Sequence, residues 1–116
     1  MDQELPQLFF LRKEIPLIAR QIADLEKLRA YNSAPGFQAG VTECIKILKR
    51  QQLKRTKELK KIEVFMESVD DEFIKQFLVN RYENRCSWRA VAFRAGPGYS
   101  EDSIKKMVQR YVKKHT

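Results

Sequence analysis

The sequence predicts an all-α protein, with a long coiled-coil-like helical hairpin over residues 1–69 followed by three short helices over residues 70–116. Apolar residues recur at spacings of three and four, the period of a helix that buries one face. The four glycines lie only within the stretches 36–40 and 96–98, which suits helices joined by few loops. No segment shows the sustained alternation of apolar and polar residues that is typical of a strand.

The first predicted helix carries an apolar seam along one face, at Leu8, Leu11, Ile15, Ile18, Ile22 and Leu25. These spacings form the heptad pattern of a helix that packs against another helix. Pro16 lies just off the seam, and we expect it either to kink the helix or to mark its true start. A loop over residues 32–40 is predicted to join this helix to the next.

The second predicted helix repeats the pattern with a polar interruption, at Val41, Ile45, Leu48, Gln52, Arg55, Leu59, Ile62, Met66 and Val69. The polar pair, Gln52 and Arg55, either weakens the seam or fixes its register. A helix of about 24 residues is roughly 36 Å long, which is more than a small C-terminal module can cover. We therefore expect the remaining apolar surface to bind a second copy of the chain, giving a homo-oligomer and first of all a dimer.

The third predicted helix begins at the acidic residues that follow Val69. Asp70 is its expected cap, with Asp71 and Glu72 in the first turn and with Val69 and Ile74 as a hydrophobic staple. Its apolar face is predicted to comprise Phe73, Ile74, Phe77, Leu78 and Tyr82. The helix should end near Asn84.

Two further helices follow, each with a serine cap. Ser87 is the expected cap of a helix over residues 88–95, which Gly96 should end. Ser100 is the expected cap of the last helix, with Tyr99 and Ile104 as its staple. The apolar face of that helix is predicted to comprise Ile104, Met107, Val108, Tyr111 and Val112.

The positive charge is concentrated in these short helices. The chain has a net charge of +8, and residues 73–116 contribute ten basic and three acidic side chains to it. Such an excess favours a polyanionic partner. The three helices are capped, the last two are joined by a tight glycine turn, and their exterior is basic. This combination is typical of a helix-turn-helix, which places one helix in the major groove of double-stranded DNA. A plain three-helix bundle with a basic surface is the alternative.

Candidate DNA contacts fall into two groups. Asp102, Lys106 and Gln109 lie opposite the apolar face of the last helix and are expected to contact base edges, with Lys105 to one side. The residues expected to contact the phosphate backbone are Arg81, Arg85, Ser87, Arg89, Arg94, Ser100, Arg110 and Lys113. Residues 46–61, with eight basic side chains and the single acid Glu58, form either a solvated helix face or a second DNA contact.

The segments RYENRCSWRAVAFRAG and YSEDSIKKMVQRYVKK resemble region 4 of bacterial sigma factors and, more closely, small phage regulators of the RinA/ArpU type. The matching positions are Arg81, Tyr82, Ser87, Trp88, Val91, Ala92, Gly96, Ser100 and Ile104. The resemblance covers residues 77–114, and it implies that Glu101, Asp102, Lys105 and Lys106 lie at the base-contacting end of the last helix. The turn over residues 96–99 is longer than in the sigma pattern, and Glu101 stands where a basic residue is common.

The inventory of reactive side chains predicts no enzyme, no metal and no cofactor. His115 is the only histidine and lies one residue from the end, which argues against a catalytic triad or a histidine-based metal site. Cys44 and Cys86 are too few for a structural zinc site and are expected to be free thiols of a cytoplasmic protein. No apolar run is long enough to cross a bilayer, so no membrane partner is expected.

These features predict a phage-type transcriptional regulator that binds double-stranded DNA sequence-specifically in the bacterial cytoplasm, at the nucleoid. The hairpin would supply oligomerisation or a contact with RNA polymerase. A phage small terminase subunit is one alternative, because it also joins a helix-turn-helix to oligomerising helices. A helical adaptor whose basic surface meets an acidic protein is the other.

Overall fold

Helices form all the regular structure in the computed structural model, which describes residues 1–115. The elements are a single 3-10 turn, Leu5–Gln7, and five α-helices: α1, Leu8–Tyr31; α2, Pro35–Ser68; α3, Glu72–Leu78; α4, Trp88–Ala95; and α5, Glu101–Lys114. A π-helical segment, Val79–Glu83, continues α3. Over the described residues there is no strand, which confirms the predicted all-α class.

The starts of the two long helices bear on two sequence predictions, one about Pro16 and one about the loop between the helices. Pro16 lies inside α1, so it does not mark the start of that helix. The predicted loop over residues 32–40 is wrong in length, because α2 already begins at Pro35 and contains Gly36 and Gly40. Proline suits the first position of a helix, where no amide donor is needed. The short connection is held by the Asn32 side chain, whose Oδ1 accepts a hydrogen bond of 3.0 Å from the backbone N–H of Ala34.

The chain divides into two compact units, of which one is the hairpin over Phe10–Leu59. Its core consists of Ile18, Ile22, Val41 and Ile45, with Leu25 and Leu48 packed against it. Three cross-helix contacts show that the two helices run antiparallel: Glu14 with Arg55, Glu26 with Lys49, and Arg29 with Thr42. The sequence separation of these pairs falls steadily toward the turn, as a hairpin requires.

Arg55, one half of the polar interruption in the seam, links the two helices of this hairpin. Its Nε lies 3.4 Å from Glu14 Oε1, and its Nη1 lies 3.3 Å from Glu58 Oε2. The carboxylate of Glu14 is on α1, so the pair holds the two helices in one register. Of the two explanations offered for the polar interruption, the contact supports a register device.

The second unit comprises Met1–Phe9 together with the chain from Lys60 onward. Helix α5 packs against both α3 and α4. The buried side chains of the unit are Leu5, Leu8, Ile62, Phe65, Met66, Val69, Ile74, Phe77, Leu78, Val91, Ala92, Ile104, Val108 and Val112. The short helices therefore share their core with the N-terminal turn and with the end of α2.

This division differs from the boundary expected between residues 69 and 70. The physical reason is size, because three short helices supply too little apolar surface to form a core of their own. Leu5 and Leu8 complete that core from the N-terminal side. At the surface of the same unit, Lys61 Nζ lies 3.6 Å from Glu4 Oε1.

Helix α3 departs from its predicted cap and its predicted face. Asp71, not Asp70, caps it, since its Oδ1 accepts from the backbone N–H groups of Phe73 at 3.0 Å and Ile74 at 3.2 Å. With the cap shifted by one residue, Val69 and Ile74 no longer stand at the two positions of a hydrophobic staple, although both are buried. Phe73 was expected in the core but is 62% exposed, so the buried face begins at Ile74.

Candidate nucleic-acid interface

Helices α4 and α5 and the turn between them build the candidate interface. Ser87 Oγ accepts a hydrogen bond of 3.1 Å from Ala90 N–H and so caps α4 as predicted. Gly96 ends α4 with a φ of +104°, and Gly98 follows with a φ of +92°. Both values lie in the region that favours glycine, so this turn depends on the two glycines. The backbone thereby redirects the chain from α4 into α5.

The start of α5 is fixed by two serines that cap each other. Ser103 N–H donates to Ser100 Oγ at 3.1 Å, and Ser100 N–H donates to Ser103 Oγ at 3.1 Å. Ser100 was the predicted cap, and the structure confirms it; the reciprocal bond through Ser103 was not predicted. Two amide groups that a helix start normally leaves without partners are satisfied here.

The two faces of α5 separate clearly. Ile104, Val108 and Val112 are buried as predicted, while Met107 and Tyr111 are half-buried. All five residues predicted to contact bases are exposed on α5: Glu101, Asp102, Lys105, Lys106 and Gln109. Arg110 and Lys113, predicted to contact phosphates, are exposed as well.

A shallow depression on the exposed surface of α5 joins members of both predicted groups. It has a volume of about 280 Å³ and is lined by Lys106, Gln109, Arg110 and Lys113. Three of these four side chains are cationic at neutral pH, and the fourth is an amide that can both donate and accept. The depression can therefore hold a phosphate oxygen or a polar base edge.

Asp102 and Lys106 pair with each other along α5. Lys106 Nζ lies 3.1 Å from Asp102 Oδ2, and both side chains are largely exposed. An exposed pair of this spacing contributes little to the stability of a helix. A ligand that recruits the Lys106 ammonium would have to compete with the Asp102 carboxylate.

Arg81 is held in the local structure that precedes α4. Its Nη1 donates a hydrogen bond of 3.1 Å to the carbonyl of Cys86, and its guanidinium lies 4.9 Å from the centre of the Trp88 ring. The Trp88 ring in turn meets Tyr82 edge-on, with centroids 6.4 Å apart. Burial raises the pKa of Tyr82 above its ordinary value. Arg81 was predicted as a phosphate contact, and its half-buried position gives it a structural role first.

The other arginines predicted to contact phosphates are all exposed, and they differ in what they touch. Arg85 has a φ of 56°, and its guanidinium lies 4.2 Å from the centre of the Phe9 ring. Arg94 Nη1 donates a hydrogen bond of 3.3 Å to Asn80 Oδ1. Arg89 lines a groove of about 600 Å³ beside the turn, together with Phe93 and Tyr99. Because these groups are exposed, their cations can reach an anionic ligand.

Phe93 is a surface residue that the sequence argument missed. It is 88% exposed, whereas its neighbours Val91 and Ala92 are buried. The helical period carried this signal, because at about 100° per residue Phe93 stands roughly 150° around α4 from the midpoint of Val91 and Ala92 and so lies on the outer side when those two are buried. Its position in the groove with Arg89 places an aromatic ring beside the candidate interface.

The part of the chain that the structure describes offers no candidate metal site and no candidate membrane span. Within residues 1–115, no three side chains among histidine, cysteine, aspartate and glutamate come together in a way that would hold a metal ion. Cys44 and Cys86 are free thiols, the first exposed and the second half-buried. None of the described helices combines the length and the apolar character needed to cross a membrane.

Comparisons of this chain with protein-family models, with curated proteins and with solved structures give no match. The resemblance of residues 77–114 to sigma region 4 and to RinA/ArpU-type regulators therefore stays a prediction.

Proposed function

We propose that this protein binds double-stranded DNA sequence-specifically, with α5 in the major groove. The observation that carries the proposal is the clean division of α5 into a buried stripe and an exposed face of basic and polar side chains. The buried stripe, Ile104, Val108 and Val112, anchors the helix to its own module. The opposite face is then free to meet a ligand along its whole length.

The dimensions and the chemistry of this face suit the major groove. Helix α5 has 14 residues and so is about 21 Å long, and a groove about 12 Å wide admits a helix. Lysine and glutamine side chains are suited to the base edges of guanine and adenine, which places Lys106 and Gln109 as base contacts. Arg110 and Lys113 follow on the same face and are placed on the flanking phosphates.

The net charge of the C-terminal helices also favours DNA as the ligand. Residues 73–116 carry a charge of +7, which is nearly all of the excess in the chain. A surface of this sign attracts nucleic acid at long range and gives an affinity that falls as salt rises. We assign Arg89 and Arg94 on α4, with Arg85 before it, to the backbone on either side of the groove.

The direct test is selection of bound DNA from a random pool with the full chain, followed by sequencing. A recurring motif of a few base pairs is the expected result. Binding without any enriched motif would overturn sequence specificity. Absence of binding even at low salt would overturn the DNA proposal and favour an adaptor that meets an acidic protein.

Within this function, we place the protein as a phage-type regulator of transcription in the bacterial cytoplasm. The support for this role is the resemblance of residues 77–114, with RNA polymerase as a second partner of the hairpin. We further propose that the hairpin binds a second copy of the chain, because exposed apolar residues lie along it, Leu17, Leu28 and Ile47 among them. A small terminase subunit is the competing role, and the size of the assembly separates the two.

A further inference from the structure

The outer face of α2 carries a row of cations that the α5 interface does not use. We call it the α2 row and define it as Lys46, Arg50, Lys54 and Lys57, all exposed and all in the unit Phe10–Leu59. At about 100° per residue, these four positions fall within an arc of about 80° on the helix. No acid interrupts the sequence from residue 44 to residue 57.

The hairpin pairs its other basic residues on α2 with carboxylates, whereas the members of the α2 row form no ion pair with a described residue, although Glu43 and Glu58 stand three and four residues from Lys46 and Lys54. Lys49 lies 3.9 Å from Glu26, and Arg55 contacts both Glu14 and Glu58. Within residues 1–115, no carboxylate lies within ion-pair distance of any member of the α2 row. The charges that stabilise the hairpin are thus distinct from those of the row.

The spacing within the row works against the helix itself. Lys46 and Arg50, and Arg50 and Lys54, stand four residues apart, while Lys54 and Lys57 stand three apart. Like charges at these spacings are neighbours on a helix surface and repel one another. A polyanion laid along the row removes that repulsion, which ties the arrangement to a ligand rather than to folding.

The geometry of the row selects an extended ligand. Lys46 and Lys57 are separated by roughly 17 Å along the helix axis, at about 1.5 Å per residue. Duplex DNA carries a negative charge about every 1.7 Å along its axis, so a rod of this kind can meet all four cations at once. A membrane surface is a poorer match, because residues 44–57 contain no aromatic side chain.

We propose that the α2 row is a second contact to the phosphate backbone of double-stranded DNA, made by the hairpin and separate from the α5 interface. The proposal rests on the proposed DNA-binding function but uses none of the same residues. Contacts of this type carry no sequence information, so the row adds affinity while α5 supplies selectivity.

The test compares three double variants of the full chain, each of which lacks two positive charges. Lys54→Gln/Lys57→Gln alters the α2 row, and Arg110→Gln/Lys113→Gln alters α5. Arg20→Gln/Lys27→Gln is the matched control, because both residues are exposed on α1 of the same hairpin. Affinity is measured over a range of salt concentrations. The duplex has about 40 base pairs, so that it is long enough for both contacts to engage.

The expected result is a smaller salt dependence for the row variant. Each phosphate contact contributes about 0.9 to the slope of log K against log salt, so the loss of two should reduce that slope by about 1.8. The control should match the wild type, and Lys54→Arg/Lys57→Arg should retain the wild-type slope. Circular dichroism should show unchanged helix content, because glutamine forms helices about as well as lysine.

A row variant whose slope equals that of the control overturns this proposal. If the α5 variant still loses affinity in that experiment, the proposed function stands and only the α2 row is wrong. If the row variant loses affinity and the α5 variant does not, the row is right and the α5 interface is wrong. Binding to polyglutamate that depends on the row, with an unchanged slope on DNA, overturns the proposal in favour of an acidic protein.

Discussion

At the scale of single residues, Lys106 and Arg89 should separate base contacts from backbone contacts. Lys106 lines the depression on α5, whereas Arg89 lies on α4 beside the turn. Lys106→Ala should cost about 1–3 kcal/mol on the preferred sequence and relax the preference at one base position. Arg89→Ala should weaken all sequences alike and lower the salt slope by about one.

Titrations on the preferred and on a scrambled duplex, at two salt concentrations, check this pair of variants. Both proteins lose one positive charge, so each serves as the charge control for the other. The assignment of faces is wrong if Lys106→Ala weakens both duplexes equally while Arg89→Ala changes the sequence preference.

The Asp102 carboxylate should weaken the binding of the Lys106 ammonium to DNA. Its carboxylate lies 3.1 Å from Lys106 Nζ on an exposed part of α5. Asp102→Asn removes the competing charge and the local repulsion of phosphate, so it should raise the affinity for non-specific DNA. Competition binding with mixed-sequence DNA measures the effect, and Glu67→Gln, which alters an exposed acid on α2, is the control for net charge. If both variants gain affinity equally, Asp102 acts through the net charge of the protein and not through its pair with Lys106.

Tyr82 should make the C-terminal unit sensitive to alkaline pH. Burial raises the pKa of its phenol in the folded state above the ordinary value of about 10. Its contribution to stability is therefore complete below the unfolded pKa and is lost as the pH rises through the folded one. Tyr82→Phe cannot ionise at this position, so it should lose less stability than the wild type above about pH 10. Urea unfolding at neutral and alkaline pH checks the difference, and parallel losses in both proteins would contradict it.

At the scale of helices, the sequence predicted those helix caps and helix ends that depend only on residues close to them in the chain. Ser87, Gly96 and Ser100 act where they were expected because each bonds or turns within a few residues of itself. The glycines at 36 and 40 misled the prediction of a loop, since glycine permits a turn but does not require one. The sequence does not decide which acid caps α3, because Asp70 and Asp71 are equally suitable cap residues.

The α3 cap itself can be tested. Asp71 Oδ1 accepts from the N–H groups of Phe73 and Ile74, so Asp71→Ala should destabilise the protein by about 1 kcal/mol. Asp71→Asn keeps a capping oxygen and should lose much less. Chemical unfolding of the two variants gives the comparison. Equal losses would mean that the negative charge at the helix start matters more than the cap.

At the scale of the whole molecule, the sequence predicted the hairpin and the short helices but not the shared core. Seam residues such as Ile18 and Leu8 have the same spacing and the same chemistry, yet they belong to different units. No local rule separates them, because the assignment depends on contacts between residues that are distant in sequence. The exposed face of α5 was predictable for the opposite reason, since periodicity within one helix determines it.

The shared core predicts that the C-terminal unit depends on the N-terminal turn. Leu8 is 1% exposed, so Leu8→Ala should cost about 2–5 kcal/mol, as the loss of a buried leucine does elsewhere. Leu17→Ala is the control, because Leu17 is on the same helix and is 52% exposed. Trp88 is the only tryptophan, and its fluorescence reports unfolding of the C-terminal unit. A Trp88 transition that moves equally in both variants would contradict the shared core.

The hairpin should carry the contact between two copies of the chain. A groove of about 530 Å³ on Phe10–Leu59 is lined mainly by apolar side chains, Leu25, Ile47 and Leu48 among them. Burial of such surface against a second copy is favourable in water, whereas a polar side chain at its centre opposes it. Ile47→Asn should therefore weaken self-association, while Val64→Asn, at a similarly exposed position of α2 in the other unit, should not. Sedimentation equilibrium at high micromolar concentration measures both: a wild-type dimer that only Ile47→Asn dissociates is the expected result. A strict monomer contradicts the contact, and a ring of many subunits would favour DNA packaging over transcriptional regulation as the role of this fold.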